Sequence, residues 1–421
     1  MSTYWRFYWP LALTGIGTVL SIQFQNATLA RYPEAVTELA ILALAYGIFG
    51  LFNACLQFTA QLSNVYARSP RANRTSWQFV IIASTTIMLP LLLIATTKFG
   101  EGAVQYIFNI DAELSQRVTA YLLIMCPLIL LNAQRHYLSG LMIQAHRTGW
   151  VTICNFTYLS VVIILLLAGF NMGLPAYQVV VGSELTGVCL LISLLAYARW
   201  RHYTPPSIVA HADVTFLDLL KFFVPVSTTG VMFAVSRPVL FAFVVRTPDG
   251  IAMVAALRIA FDFSMLFQQA ANQFRHFFIS FGFDDLKGKK RFMFTISIGL
   301  TIVLLVVAAT PISTWIWGDV MGIPEDLMMM SADALLVMCF MPSIIIYRNY
   351  FHGRLMHLRR TAGMAYGATI RVLGICALAW LFFELNWLNP ATAASILIIG
   401  FLIEAVMAHR ISKGLKEVAV D

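Results

Sequence analysis

The chain has 421 residues, of which 59% are apolar and only 11% charged, against the ~25% charged residues of an ordinary soluble domain. So few charges cannot cover a soluble protein of this size, whereas a bilayer removes the need, so the composition excludes a soluble enzyme and points to a polytopic membrane protein. The formal net charge of +8 lies mainly in short loops between apolar runs, where basic residues orient membrane proteins rather than bind nucleic acid.

A spanning helix needs ~20 mostly apolar residues. The first run, 7–30, is too long for a cleaved signal sequence, and too polar in its second half, with Gln23, Gln25 and Asn26; it reads as the first span of the mature protein. The second, 38–67, carries Asn53, Gln57, Gln61 and Asn64 at steps of four, four and three, a spacing that aligns amides on one helix face. Amides in lipid either hold helices together or line a wetted cavity. Runs at 75–99, 115–143, 149–170 and 176–199 follow, with Arg135 in the fourth span and Glu184 in the sixth. A polar connection, 199–216, carries Pro205-Pro206.

Six more runs are expected at 216–246, 250–281, 290–317, 326–355, 361–383 and 390–412. In the seventh span Arg237 precedes Pro238, and a mid-helix proline frees a backbone carbonyl and kinks the helix. The eighth holds Arg258 and Asp262 four apart, the spacing of an intrahelical ion pair, and then Gln268, Asn272, Arg275 and His276. Later spans add Asp333, Arg348, Arg371 and Glu404. Charges inside spans default to functional sites. Six of these are arginines and four are acids, so the interior leans positive, as an anionic solute requires. Guanidinium groups grip carboxylates and phosphates with paired hydrogen bonds.

The two halves repeat. Pro10-x-x-x-Thr14-Gly15 matches Pro225-x-x-x-Thr229-Gly230, and the same offset of 215 carries Arg31-x-Pro33 onto Arg246-x-Pro248. At an offset of 213, Arg135-x-Tyr137-x-x-Gly140 matches Arg348-x-Tyr350-x-x-Gly353, and Arg147-Thr148 matches Arg360-Thr361. At the first offset Asn53, Gln57 and Gln61 fall on Gln268, Asn272 and His276. The expected fold is all-α: about 12 transmembrane helices as two six-helix bundles, 1–205 and 206–421, related by a pseudo-twofold along the membrane normal. Alternate loops divide the Lys and Arg residues 18 to 4, which places both termini in the cytoplasm.

Enzyme signatures are absent: there is no G-x-x-x-x-G-K-[ST], H-E-x-x-H or G-x-S-x-G. All six cysteines fall in predicted spans without a C-x-x-C pair, so neither a disulfide framework nor a zinc site is expected. No cofactor is expected either.

Twelve spans in two halves, with polar spans 1, 2, 7 and 8, resemble the MATE-like (MOP) exporter superfamily. Within it the chain is most similar to the progressive ankylosis protein (ANK) family. Ser236-Arg237-Pro238, the run Arg348-Asn349-Tyr350-Phe351-His352-Gly353-Arg354, Arg371, Glu404, Tyr8-Trp9-Pro10-Leu11 and Ala45-Tyr46-Gly47 carry the likeness, which is strongest after Phe222. It implies a compact prokaryotic relative that exports small polyanions: citrate-like carboxylates, nucleotides or pyrophosphate. Glu184 departs from the family pattern.

The expected solute contacts are Arg135, Arg348, Arg237, Asn53, Gln57, Gln268 and Asn272, and the expected coupling or ion-pair residues are Arg258, Asp262 and Glu404. Partners are a small anionic solute, the lipid bilayer and H+ or Na+ as coupling ion, for a monomer in the inner (plasma) membrane. A MATE-type multidrug or cation antiporter and a lipid-linked saccharide flippase are the alternatives on the same fold.

Overall fold

The computed structural model describes residues 2–29, 31–32, 35–108, 110–204, 214–320 and 325–413. Pro33, the Pro205-Pro206 connection and Lys416 lie outside these residues. The described chain is helical: α1 (Ser2–Leu29), α2 (Ala35–Ala54), α3 (Thr59–Tyr66), α4 (Pro70–Thr96), α5 (Lys98–Phe108), α6 (Ala112–Gln144), α7 (Thr148–Asn171) and α8 (Ala176–His202) form the first set. The second set is α9 (Phe216–Val244), α10 (Gly250–Asn272), α11 (Arg275–Phe281), α12 (Leu286–Ala309), α13 (Ile312–Thr314), α14 (Glu325–Met338), α15 (Met341–His357), α16 (Ala362–Glu384) and α17 (Pro390–Lys413).

Among the described residues, eleven segments are long and apolar enough to cross a membrane. The expected eighth span is α10 with α11; it is not among the eleven and carries Arg258, Asp262, Gln268, Gln269 and Asn272. Leu93, Ile164, Leu373 and Trp380 are exposed. Such apolar surface is a liability in water and suits lipid. Starts are set locally: Ser69 accepts the Ala72 N–H ahead of Pro70 at N1, and Asp111 accepts the Leu114 N–H, satisfying donors that a helix start leaves over. The apolar runs predict no separate helix for α5. It is a short helix with Phe99 and Tyr106 almost fully exposed, and at an offset of 213 the short helical piece 312–320 stands in the corresponding place.

The second and eighth spans are broken at corresponding positions, by the turn 55–58 between α2 and α3 and by 273–274 between α10 and α11. The amide stripe of the second span is therefore interrupted. Asn53 and Gln57 belong to the end of α2 and the turn, while Gln61 and Asn64 are buried in α3. A break leaves carbonyls without helical donors, which lipid cannot satisfy. Ser227 donates to the Cys55 carbonyl at 2.8 Å and Tyr8 to the Ala270 carbonyl at 2.9 Å.

Those two donors follow the way the chain is divided. One compact unit is 1–16 with 232–421, and the other is 17–231; the opening turns of α1 and of α9 are each held in the unit built mainly from the opposite half. The glycines explain the close approach. A Cβ on Gly15 would stand 2.8 Å from the Gln269 carbonyl oxygen, and one on Gly230 would stand 2.3 Å from that of Ala54. Both members of each contact are 215 residues apart from their counterparts. In the first unit, edge-on rings (Tyr4 and Phe7 against Phe277 and Phe281) complete the seat of α1.

Further pairs repeat at 213. Gly140 packs on Ala60 and Ser63, and Gly353 on Arg275 and Phe278. His146 and Arg359 both have positive φ, at 57° and 55°, as do Gly173 and Asn386, at 67° and 56°. Left-handed residues end helices, so the duplicated motifs fold into duplicated turns.

Candidate functional site

Within the unit formed by 1–16 and 232–421, a charged cluster is buried among α15, α16 and α17. Arg371, Glu404, Arg348 and His352 are all at least 95% buried. Glu404 Oε2 accepts from Arg371 Nη1 and from Arg348 Nη1, the latter at 3.2 Å. His352 Nε2 stands 3.6 Å from Glu404 Oε1. The break after Asn272 turns that amide onto the cluster: Arg348 Nη2 donates to Asn272 Oδ1 at 3.3 Å and to Asn349 Oδ1 at 3.3 Å. Asn349 in turn donates to the Ala271 carbonyl at 3.1 Å.

Two glycines set the depth of the pair. Gly400, one turn before Glu404, lies against the Arg371 stem, and Gly367, one turn before Arg371, lies against Glu404. Small residues at these positions let α16 and α17 approach closely. Phe401 lies 4.4 Å from the Arg371 guanidinium and 5.3 Å from that of Arg348. Two guanidiniums face one carboxylate, so the cluster carries surplus positive charge.

A looser group sits on α9 and α10 of the same unit. Asp262 lies 3.8 Å from Arg237 Nη1 and 3.7 Å from Arg258 Nε, and all three side chains are partly exposed, with Arg237 over the Phe261 ring at 5.0 Å. The i,i+4 ion pair read from spacing is present, and Arg237 joins it. Gln268 is buried and donates to Ser264 at 3.0 Å.

In the unit 17–231, Glu184 is held by neutral donors. The Tyr158 hydroxyl is 2.7 Å from both carboxylate oxygens, Gln25 Nε2 donates at 3.0 Å, and Tyr46 donates to Gln25 Oε1 at 3.1 Å. Arg135 is half-buried and makes no hydrogen bond or ion pair among the described residues, although it is within electrostatic reach of Tyr158. Asn53 accepts from Asn132 at 3.1 Å, and Gln57 is exposed.

Residues 1–262 match the family model of the progressive ankylosis protein (ANKH). The chain belongs to the progressive ankylosis protein family. The match covers the first half and the start of the second, so the run from Arg348, with Arg371 and Glu404, lies beyond it; the expectation that the likeness is strongest after Phe222 is not where the match falls.

Solved structures with this fold cover nearly the whole chain. A eukaryotic MATE transporter aligns over 99% of this chain and 96% of its own, with a TM-score of 0.77 at 11% identity. A multidrug resistance MATE family transporter of the MOP superfamily, in an outward-facing conformation, gives 0.76 at 13% identity over 99% and 96%. A MOP superfamily transporter from Pyrococcus furiosus, described as having a binding pocket of reversed polarity that suggests a different function, gives 0.72 at 13% identity over 98% and 95%. The chain is a multi-pass membrane protein with a MATE-like fold, and these neighbours are transporters, not enzymes.

Of the residues singled out in the sequence, the fold joins Arg348, Asn272 and Glu404 in one cluster and Arg237, Arg258 and Asp262 in another. Arg135, Asn53 and Gln57 belong to the other unit. The sequence marks Arg371 as a charge within a span and as part of the family likeness, but it gives Arg371, His352, Tyr158 and Tyr46 no role in a site. The glycine one turn before both Arg371 and Glu404 was the available signal for the first.

Proposed function

We propose that this protein is a secondary-active, alternating-access exporter of small organic or phosphorylated anions such as citrate-like carboxylates, nucleotides or pyrophosphate. The observation that carries this reading is the surplus of guanidinium over carboxylate in the buried Arg348–Glu404–Arg371 cluster. Positive charge held inside a membrane protein is costly and marks a solute or ion path. Arg348 is not a free group, because Glu404 takes one of its edges. The solute then meets a cluster that is already half balanced.

Arg237 and Arg135 are the further basic contacts, and Asn53, Gln57, Gln268 and Asn272 supply amide donors and acceptors. Duplicated halves 1–205 and 206–421 suit this mechanism; we read the protein as a monomer in the inner (plasma) membrane, and the basic-loop count supports both termini cytoplasmic. Glu184, held by neutral donors, supports H+ or Na+ as coupling ion, alongside Asp262.

The test is export from proteoliposomes loaded with citrate, pyrophosphate or ATP. Wild type is expected to move at least one of these, and Arg348→Ala to lose that transport. Movement of a cationic drug with none of the anions would overturn the reading in favour of a cation antiporter. Transfer of a lipid-linked saccharide alone would favour a flippase.

A further inference from the structure

Arg371 presents two edges, and the protein uses one. Its Nη1 meets Glu404, while Nε and Nη2 are buried and have no partner among the described residues. These two N–H groups project side by side from a rigid plane, the arrangement that holds both oxygens of a carboxylate or phosphoryl group at once. Buried charged donors without an acceptor are strongly disfavoured. Arg348 Nε is likewise buried and without a partner among the described residues.

The charge points the same way. One carboxylate stands between two guanidiniums, so a single negative group on the open edge balances the cluster without displacing Glu404. The surrounding rings, Phe233 and Phe401, lie within 5.8 Å of both guanidiniums and offer a face that favours cations, not an acceptor that would satisfy the N–H groups.

We propose that the Nε/Nη2 edge of Arg371 is the subsite that grips one carboxylate or phosphoryl group of the transported anion. Arg348 Nε is the adjoining donor, and Glu404 is the positioning residue that fixes the Arg371 plane. This deepens the anion-export reading and rests on it. It makes Arg371, which span-by-span reading left without a role, the residue that selects oxoanions.

The experiment is calorimetric titration of the purified full chain in nanodiscs with citrate, inorganic phosphate and chloride, for wild type and Arg371→Lys. Lysine keeps the charge opposite Glu404 and loses the fork. Citrate and phosphate are expected to bind about ten- to hundred-fold more weakly to Arg371→Lys. Chloride, a sphere with no use for a fork, is expected to change by less than about threefold.

If Arg371→Lys does not fold, the double variant Arg371→Gln with Glu404→Gln removes both charges and leaves the net charge of the cluster unchanged, and the same loss of oxoanion binding is expected. Equal citrate binding in variant and wild type would overturn this proposal alone and leave the export reading standing. An equal loss of chloride and citrate would also overturn it, since charge without fork geometry would then suffice. Absence of both binding and transport of every anion by wild type would bring down the two readings together.

Discussion

Two carboxylates, the fully buried Glu404 and the half-buried Glu184, one in each compact unit, are stabilised in opposite ways. Glu404 is held by cations, with Arg371 and Arg348 on one oxygen. Glu184 is held by a tyrosine hydroxyl and an amide, and makes no ion pair among the described residues. The arginines of the first cluster depend on Glu404 for compensation, so that acid is a fixed counter-charge. Glu184 has no cation within hydrogen-bond reach among the described residues and compensates none. Duplication supplied matching helices, and the side chains placed on them gave each unit a different electrostatic task.

Replacing each acid by its amide breaks or sharpens that contrast. Glu404→Gln leaves two buried guanidiniums without a counter-charge and is expected to cost about 3–5 kcal/mol. Glu184→Gln keeps the shape and most hydrogen bonds, and is expected to cost only about 1–2 kcal/mol. Melting temperatures of the purified full chain in one detergent give the order. Equal shifts would mean that the two acids are held alike after all.

A smaller effect compares the matched glycines. A Cβ on Gly140 would fall 2.2 Å from the Ala60 carbonyl oxygen, whereas one on Gly353 would fall 2.7 Å from Phe278 Cβ and 3.0 Å from the Arg275 carbonyl oxygen. Gly140→Ala is therefore expected to destabilise more than Gly353→Ala, each within the ~1–3 kcal/mol of an overpacked contact. The reverse order in thermal melts would show that α3 yields more readily than α11.

The smallest effect lies at the start of α12. The Gly288 N–H and the Tyr4 hydroxyl hold the Asp285 carboxyl below its ordinary value. A lowered folded value contributes stability above the unfolded value of ~3.9 and loses it as pH falls through the folded one. Wild type should outlast Asp285→Asn above ~pH 5, and the gap should close in acid. Asparagine tolerates the left-handed backbone here, at φ 49°, so the comparison isolates the charge. A gap independent of pH in melts would assign the effect to packing.

Much of the fold was legible in the residues themselves. Long apolar runs with few charges leave a helical bundle as the only way to satisfy the backbone in lipid, and matched Gly, Arg and Pro positions exposed the duplication. Gly140 and Gly353 stood at equal offsets because two helix pairs must approach equally closely. The site was less legible. The spacing of Asn53, Gln57, Gln61 and Asn64 implied one continuous face, but a turn at 55–58 divides them. Arg371 and Glu404 are 33 residues apart, and no periodicity joins positions on different helices.

The sequence by itself determined the membrane class, the helices and the repeat, because solvent and backbone hydrogen bonding act on each segment locally. Only the tertiary structure decided which arginines meet Glu404, and that the openings of α1 and α9 pack in the unit of the opposite half. Those outcomes depend on close approach between distant segments, which side-chain volume and the glycines permit but do not name in advance.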